Sequence, residues 1–133
     1  MHLEFVVPGP PISNQSPGPN LSNWRASVAG EAQNQWAKPL LAGDLKAIII
    51  NFHAGDKPSV DVDNMSKPIF DVMQDVIYRD DRQITQAEIT HVKIAAAFSI
   101  AGASKMLVSA IQTGEQFVYV RLEEPVNPFP LPK

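Results

Sequence analysis

The order of apolar and polar positions divides the chain into alternating extended and helical stretches. Leu3 to Val7 (LEFVV) is a short run of β-formers that stops at Pro8-Gly9-Pro10-Pro11, which predicts a first strand closed by a rigid turn. The polar stretch Ile12 to Asn23 reads as a long loop, and Trp24 to about Leu41 as a helix of Ala-rich spacing, flawed by Gly30 and Pro39. Leu45 to Phe52 (LKAIIINF) is the most apolar β-branched run and predicts a buried strand.

The clearest periodicity spans residues 65–78. At about 100° per residue, Met65, Ile69, Phe70, Val72, Met73, Val76 and Ile77 gather on one side, with Lys67, Asp71, Gln74, Asp75 and Tyr78 on the other. This predicts an amphipathic helix with Pro68 within or just after its first turn, where a missing N–H costs least. Ile84 to Phe98 has β character, Ser104 to Glu115 reads as helical with Gly114 as its stop, and Phe117 to Glu123 alternates as a final strand. The closing EPVNPFPLPK has four prolines in ten residues and predicts an extended or disordered arm.

Composition narrows the chemistry. With 133 residues the chain fits one domain, able to bury roughly two thirds of the surface its unfolded form exposes. No cysteine is present, which excludes disulfides, thiolate metal sites and cysteine nucleophiles. There is no basic leader at Met1-His2-Leu3-Glu4, and the longest weakly apolar run, Ile94 to Ala103, is too short for a bilayer. A soluble cytoplasmic protein with no membrane partner is therefore expected. Eleven basic against fourteen acidic residues give a formal charge of −3, which does not advertise nucleic acid, because that binding is largely phosphate neutralisation.

The acids are nonetheless unevenly placed. Eight of the fourteen lie between Asp56 and Glu88, including the pairs Asp61/Asp63 and Asp80/Asp81. In extended geometry Asp61 and Asp63 would face the same way, about 7 Å apart at Cα. Two such carboxylates repel unless a positive group sits between them, and a hard cation held through oxygen is the usual resolution. A helix of about 14 residues is roughly 21 Å long, so a returning strand would have to bring Asp80/Asp81 back beside the first pair. Each piece also has a plain structural reading: Asp63 as a helix N-cap, Asp80/Asp81 as turn residues, Lys67 with Asp71 as a solvated ion pair. The three histidines, His2, His53 and His91, share no metal-ligand spacing, which points to core or surface roles. There is no Gly-rich phosphate loop or Ser nucleophile motif, and Trp24 and Trp36 read as packing anchors.

The segments Asp61-Val-Asp63-Asn64-Met-Ser-Lys67-Pro-Ile-Phe-Asp71 and Tyr78-Arg-Asp80-Asp81-Arg-Gln83-Ile84 resemble the RusA family of Holliday junction endonucleases, with its D-x-D-N-x-x-K-x-x-x-D segment, helix and D-D-x-Q-[IV] segment. The resemblance is specific over residues 58–92 and faint at PGPPISNQ. It implies an α/β (α+β) fold, a small mixed sheet with two to three helices, in which residues 1–124 form one nuclease domain and 125–133 a Pro-rich tail. It implies a homodimer that cuts symmetric strands of branched DNA at a four-way junction with Mg²⁺, Mn²⁺ being a possible substitute. Asp61, Asp63 and Asp81 match the family's metal-binding carboxylates and Lys67 its active-site lysine. Asp80, Asp71 and Asn64 are expected to support them, and Asn14, Arg25, Lys57, Arg79 and Arg82 to contact DNA.

Two departures stand out. Basic residues are few after the N-terminal turn and before the first acidic pair, where only Arg25 and Lys57 occur. A glycine usual between the helix and the D-D pair is absent, the chain reading Val76-Ile77-Tyr78. The acidic balance keeps open a catalytically inactive binding or structural protein of the same fold. Nuclease action on flaps, forks or RNA is a further alternative.

Overall fold

Residues 3–96 and 98–133 are described by a computed structural model. Met1, His2 and Ala97 lie outside that set. The elements run β1 (Leu3–Pro8), α1 (Gly18–Gln35), β2 (Leu45–His53), α2 (Val62–Met73), β3 (Ile84–Lys93), α3 (Lys105–Gln112) and β4 (Phe117–Glu123). The apolar β2 lies inside a four-stranded sheet of order β1-β4-β2-β3. β4 runs antiparallel to both its neighbours, whereas β2 and β3 are parallel, with Ile49 opposite Ile89 and Asn51 opposite His91. The fold is α+β, and its one parallel pair is joined by a crossover that contains α2.

The main core forms where α1 and α2 cover one face of the sheet. Met65, Ile69 and Met73 of α2 are fully buried among Phe5, Val7, Val28, Ile49 and Val120. A smaller core on the opposite face gathers Phe52, Phe117 and Tyr119 against Leu107 and Ile111 of α3, with Phe52 and Phe117 stacked at 4.5 Å. Ser104 caps α3, and its hydroxyl donates to Glu4 at 2.7 Å, as does that of Tyr119 to the same carboxylate oxygen. Burial and the Glu4 carboxylate push the Tyr119 phenol up to about 12.

Several boundaries differ from the sequence expectations. Helix α1 begins and ends six residues before the expected Trp24–Leu41 span. Its first turn contains Gly18 and Pro19, where proline needs no N–H and its fixed φ suits a helix, so Pro-Gly-Pro opens a helix instead of continuing a loop. At the other end Trp36 is already extended, and its indole N–H donates to the Pro39 carbonyl at 3.1 Å. The strand expected through Phe98 stops at Lys93. The C-terminal arm is extended and anchored near its start: Gln86 of β3 donates to the Val126 carbonyl and accepts from its N–H, both at 3.0 Å.

Helix α2 starts three residues early and stops five short of the expected span. Pro68 sits in its second turn, one turn deeper than propensity favours. The Asn64 carbonyl thereby lacks its normal helical donor, and the backbone N–H of Asn14 supplies one at 2.9 Å. The turn after α2 is made by Asp75, which adopts φ +68. This is the left-handed conformation that a glycine would take most easily, and a short polar side chain tolerates it. Since the helix has ended, Tyr78 leaves the expected polar face and is fully buried. No helix among the described residues is long and apolar enough to cross a membrane.

Replacing Asp75 with glycine removes the left-handed strain at one exposed position. Asp75→Gly is expected to raise stability by roughly 0.5–1 kcal/mol, read as a higher denaturant midpoint with an unchanged slope.

Candidate active site

Helix α2 presents Asp63, Lys67 and Asp71 at i, i+4 and i+8, and so along one stripe. Asp61 and Asp63 do not share the face of an extended segment. Asp61 is the N-cap, with extended φ −78 and ψ 168, while Asp63 is already helical, so the capping role considered for Asp63 belongs to Asp61. Both Asp61 oxygens accept from Asn64, Oδ1 from the backbone N–H at 2.8 Å and Oδ2 from the side-chain amide at 3.2 Å. Each retains lone-pair capacity, since a carboxylate has about four acceptor positions. Asp63 is exposed, and its side chain has no hydrogen bond or ion pair to any described residue.

Lys67 Nζ donates to Asp71 Oδ1 at 2.8 Å, and Arg25 of α1 reaches Asp71 Oδ2 at 3.4 Å. The hydrogen bond and charge of Asp71 hold the lysine above its ordinary value, with Asp81 adding to the effect, so Lys67 is a fixed positive charge at neutral pH. Asp81 therefore lies close enough to Lys67 for their charges to interact.

The second acidic pair sits on a 3-10 turn, Asp81–Gln83, capped by Asp80. Asp80 is bound by the Arg82 guanidinium, with Nη2 to Oδ2 at 2.7 Å, which holds its carboxyl below the usual range and raises the arginine. Asp81 is left for other work, its Oδ1 accepting from the Tyr78 hydroxyl at 2.8 Å. Burial and Asp81 push that phenol well above its ordinary value. Gln83 uses its whole amide to fix this turn. Oε1 accepts from Arg79 and Asp80 N–H at 3.1 Å, and Nε2 donates to the Leu41 and Gly43 carbonyls at 2.9 Å.

At the end of the parallel pair the core turns polar. The helix-covered side of β2 reads Leu45, Ala47, Ile49, then Asn51 and His53, and this change falls where α2 begins. Asn51 Nδ2 lies 3.1 Å from His91 Nδ1, which as acceptor places the ring proton on Nε2. Burial and then His53 lower the His91 pKa, against an opposing pull from Asp61, so the ring is neutral at pH 7. His91 and Asp61 line one cleft of about 480 Å³ with Lys57, Pro58 and Val62.

Asp61 and Asp63 thus share the first turn of α2, while Asp81 stands beside the Lys67–Asp71 turn. Among the described residues no three His, Asp or Glu side chains form a group that could hold a metal ion. The donors that are present are hard oxygens on exposed or half-buried carboxylates, and Asp63 is unneutralised. That chemistry fits a hydrated Mg²⁺, which keeps several waters and is often held by one or two carboxylates. Of the expected DNA contacts, Lys57 and Arg79 have exposed side chains without ionic partners among the described residues. Arg25 and Arg82 are paired to acids, and the Asn14 N–H is spent on Asn64.

Three contributors had no role in the sequence reading. Tyr78, on the polar side of the predicted wheel, is buried because the helix ends before it. Gln83 lay inside a quoted segment, but its four partners come from two separate loops. His91 could have been flagged by the register of two parallel strands, which spacing alone does not give.

Residues 16–97, more than half of the chain, match the family model described as Endodeoxyribonuclease RusA. The span includes the crossover, both acidic pairs and every candidate site residue except Asn14. The chain therefore belongs to the RusA family of endodeoxyribonucleases. No curated protein matches the chain.

Removing the Gln83 amide leaves two N–H and two carbonyl groups without their partners. Gln83→Ala is expected to cost roughly 2 kcal/mol or more in chemical denaturation. Tyr78 and Tyr119 are the chain's two tyrosines, and both are raised, so their protonated forms support the fold fully below pH ~10 and that support is lost as pH climbs through the folded values. Spectrophotometric titration should therefore show no phenolate at pH ~10 in the native protein, and its appearance should coincide with loss of structure.

Proposed function

We propose that this chain is a divalent-cation-dependent endonuclease that resolves four-way DNA junctions by paired symmetric nicks, one protomer of a homodimer cutting each strand. The observation that carries this reading is the α2 stripe, where an unneutralised carboxylate at Asp63 lies one turn from a lysine held positive. Asp61 and Asp63, on the first turn of α2, would supply oxygens to a hydrated Mg²⁺, or to Mn²⁺ in its place, and Asp81, which forms no three-carboxylate group with them among the described residues, would act on it through its waters. When bound, such an ion lowers the pKa of an attacking water and offsets charge on the phosphate.

The chain's own residues account for the rest. Lys67 donates to a non-bridging oxygen of the scissile phosphate, where negative charge builds as water attacks phosphorus and the strand's P–O bond breaks. Tyr78 orients Asp81 by donating to its Oδ1, and Gln83 fixes the turn on which Asp81 sits. Asp80 supports that turn through its cap and its pairing with Arg82. Asn64 holds both oxygens of Asp61, and Lys57 and Arg79 offer free cations to the DNA backbone. With a formal charge of −3 and several cations already paired, junction affinity should be low and steeply dependent on salt.

The test is cleavage of a labelled synthetic four-way junction beside linear duplex and flap controls, with Mg²⁺, Mn²⁺ or EDTA at low salt. Paired symmetric nicks that vanish with EDTA are expected, and Asp63→Asn should abolish them while the fold and junction binding persist. Cleavage retained in Asp63→Asn would overturn the metal role, and a bound but uncut junction would favour a binding protein of the same fold. Preferred cutting of flaps would move the substrate and keep the chemistry.

A further inference from the structure

Asp71 is shared by two cations from different helices. Lys67 uses one donor on it at 2.8 Å, while Arg25 touches the other oxygen through a single nitrogen at 3.4 Å. The three side chains are 58%, 42% and 26% exposed for Lys67, Arg25 and Asp71, and surface ion pairs of that kind contribute little to stability. A guanidinium has five N–H donors in a planar fork suited to phosphate, and here most are unspent. Its Nε is buried without a partner among the described residues, and the side chain is partly exposed, so the guanidinium's fixed contact is the one to Asp71.

The stripe also has a length. Asp63 to Lys67 and Lys67 to Asp71 are each about 6 Å along the helix axis, comparable with the separation of successive phosphates on a strand. Arg25 stands at the end far from Asp61 and Asp63. Lys67 is set against both Asp71 and Asp81, whereas Arg25 makes one long contact to Asp71 and keeps the donors at its exposed end for one more anion.

We infer that Arg25 grips the phosphate next to the scissile one and that Asp71 is the positioning residue that holds Arg25 and Lys67 in register for adjacent phosphates. This rests on the proposed nuclease reading, to which it adds a second phosphate subsite supplied by α1. A purely structural triad would tie α1 to α2 and leave DNA binding untouched.

The salt dependence of junction binding separates the two. Fluorescence anisotropy on a labelled four-way junction, with EDTA present so that no strand is cut, gives the slope of log K against log salt. Arg25→Met should make that slope shallower by about 0.9 and raise Kd about tenfold at fixed salt. Arg25→Lys keeps the charge and should keep the slope, and Asp71→Asn should retain the slope while slowing cleavage at saturating junction. An Arg25→Met protein that is folded by circular dichroism yet shows the wild-type slope and Kd would overturn the inference. Should wild type bind the junction without cutting any substrate, the nuclease reading fails, while the slope comparison still decides whether Arg25 meets a phosphate.

Discussion

Parallel pairing of β2 with β3 is the constraint on which the site depends. Parallel neighbours cannot be joined by a hairpin, so the chain must leave one end of the sheet, cross its face and re-enter at the other. The crossing runs through Asp61, α2, the Asp75 turn and Asp81, and it contains almost every group of chemical interest. Burial of Met65, Ile69 and Met73 fixes how α2 lies on the sheet. The outward stripe of Asp63, Lys67 and Asp71 is a geometric result of that burial.

The excess of acid over base looks unsuited to DNA until the individual charges are followed. Asp80 is consumed by Arg82, and Asp71 is shared by Lys67 and Arg25, so two of the acids near the site are neutralised by its own cations. Asp56, ahead of α2 in the chain, pairs with Lys93. Among the described residues Asp63 carries no such partner, the Asp61 carboxylate accepts from the amides of Asn64, and the Asp81 carboxylate accepts from the Tyr78 hydroxyl and lies within charge range of Lys67. Acid without a cationic partner is thus gathered at the start of α2, whereas Lys67 and Arg25 are set against Asp71 and Asp81, a distribution that net charge does not express.

Much of this architecture could be read from residue order because the strongest signals are local. The apolar run at β2, the alternation at β4 and the α2 wheel each encode their own element, and the acids and Lys67 sat in a spacing that resembled a known family. What failed was decided elsewhere. Pro17-Gly18-Pro19 has the composition of a loop, but becomes a helix start because a helix has spare N–H groups there. Tyr78 fitted a wheel that stops at Met73, beyond which an αL residue turns it inward. Arg25 and Asp71 are 46 residues apart, and Asn51 and His91 40 apart, so neither contact has any trace in spacing.

Pro68 shows how a local defect becomes a joint between segments. A proline inside a helix leaves one carbonyl without its usual donor, here that of Asn64, and the N-terminal loop fills the gap through Asn14. The residue that completes the cap of Asp61 therefore also moors the chain that leads from β1 into α1. Alanine at position 68 would improve the helix by propensity, yet it would bring a rival N–H to an oxygen already in use. A substitution favourable to α2 taken alone would thus loosen its hold on the rest of the molecule.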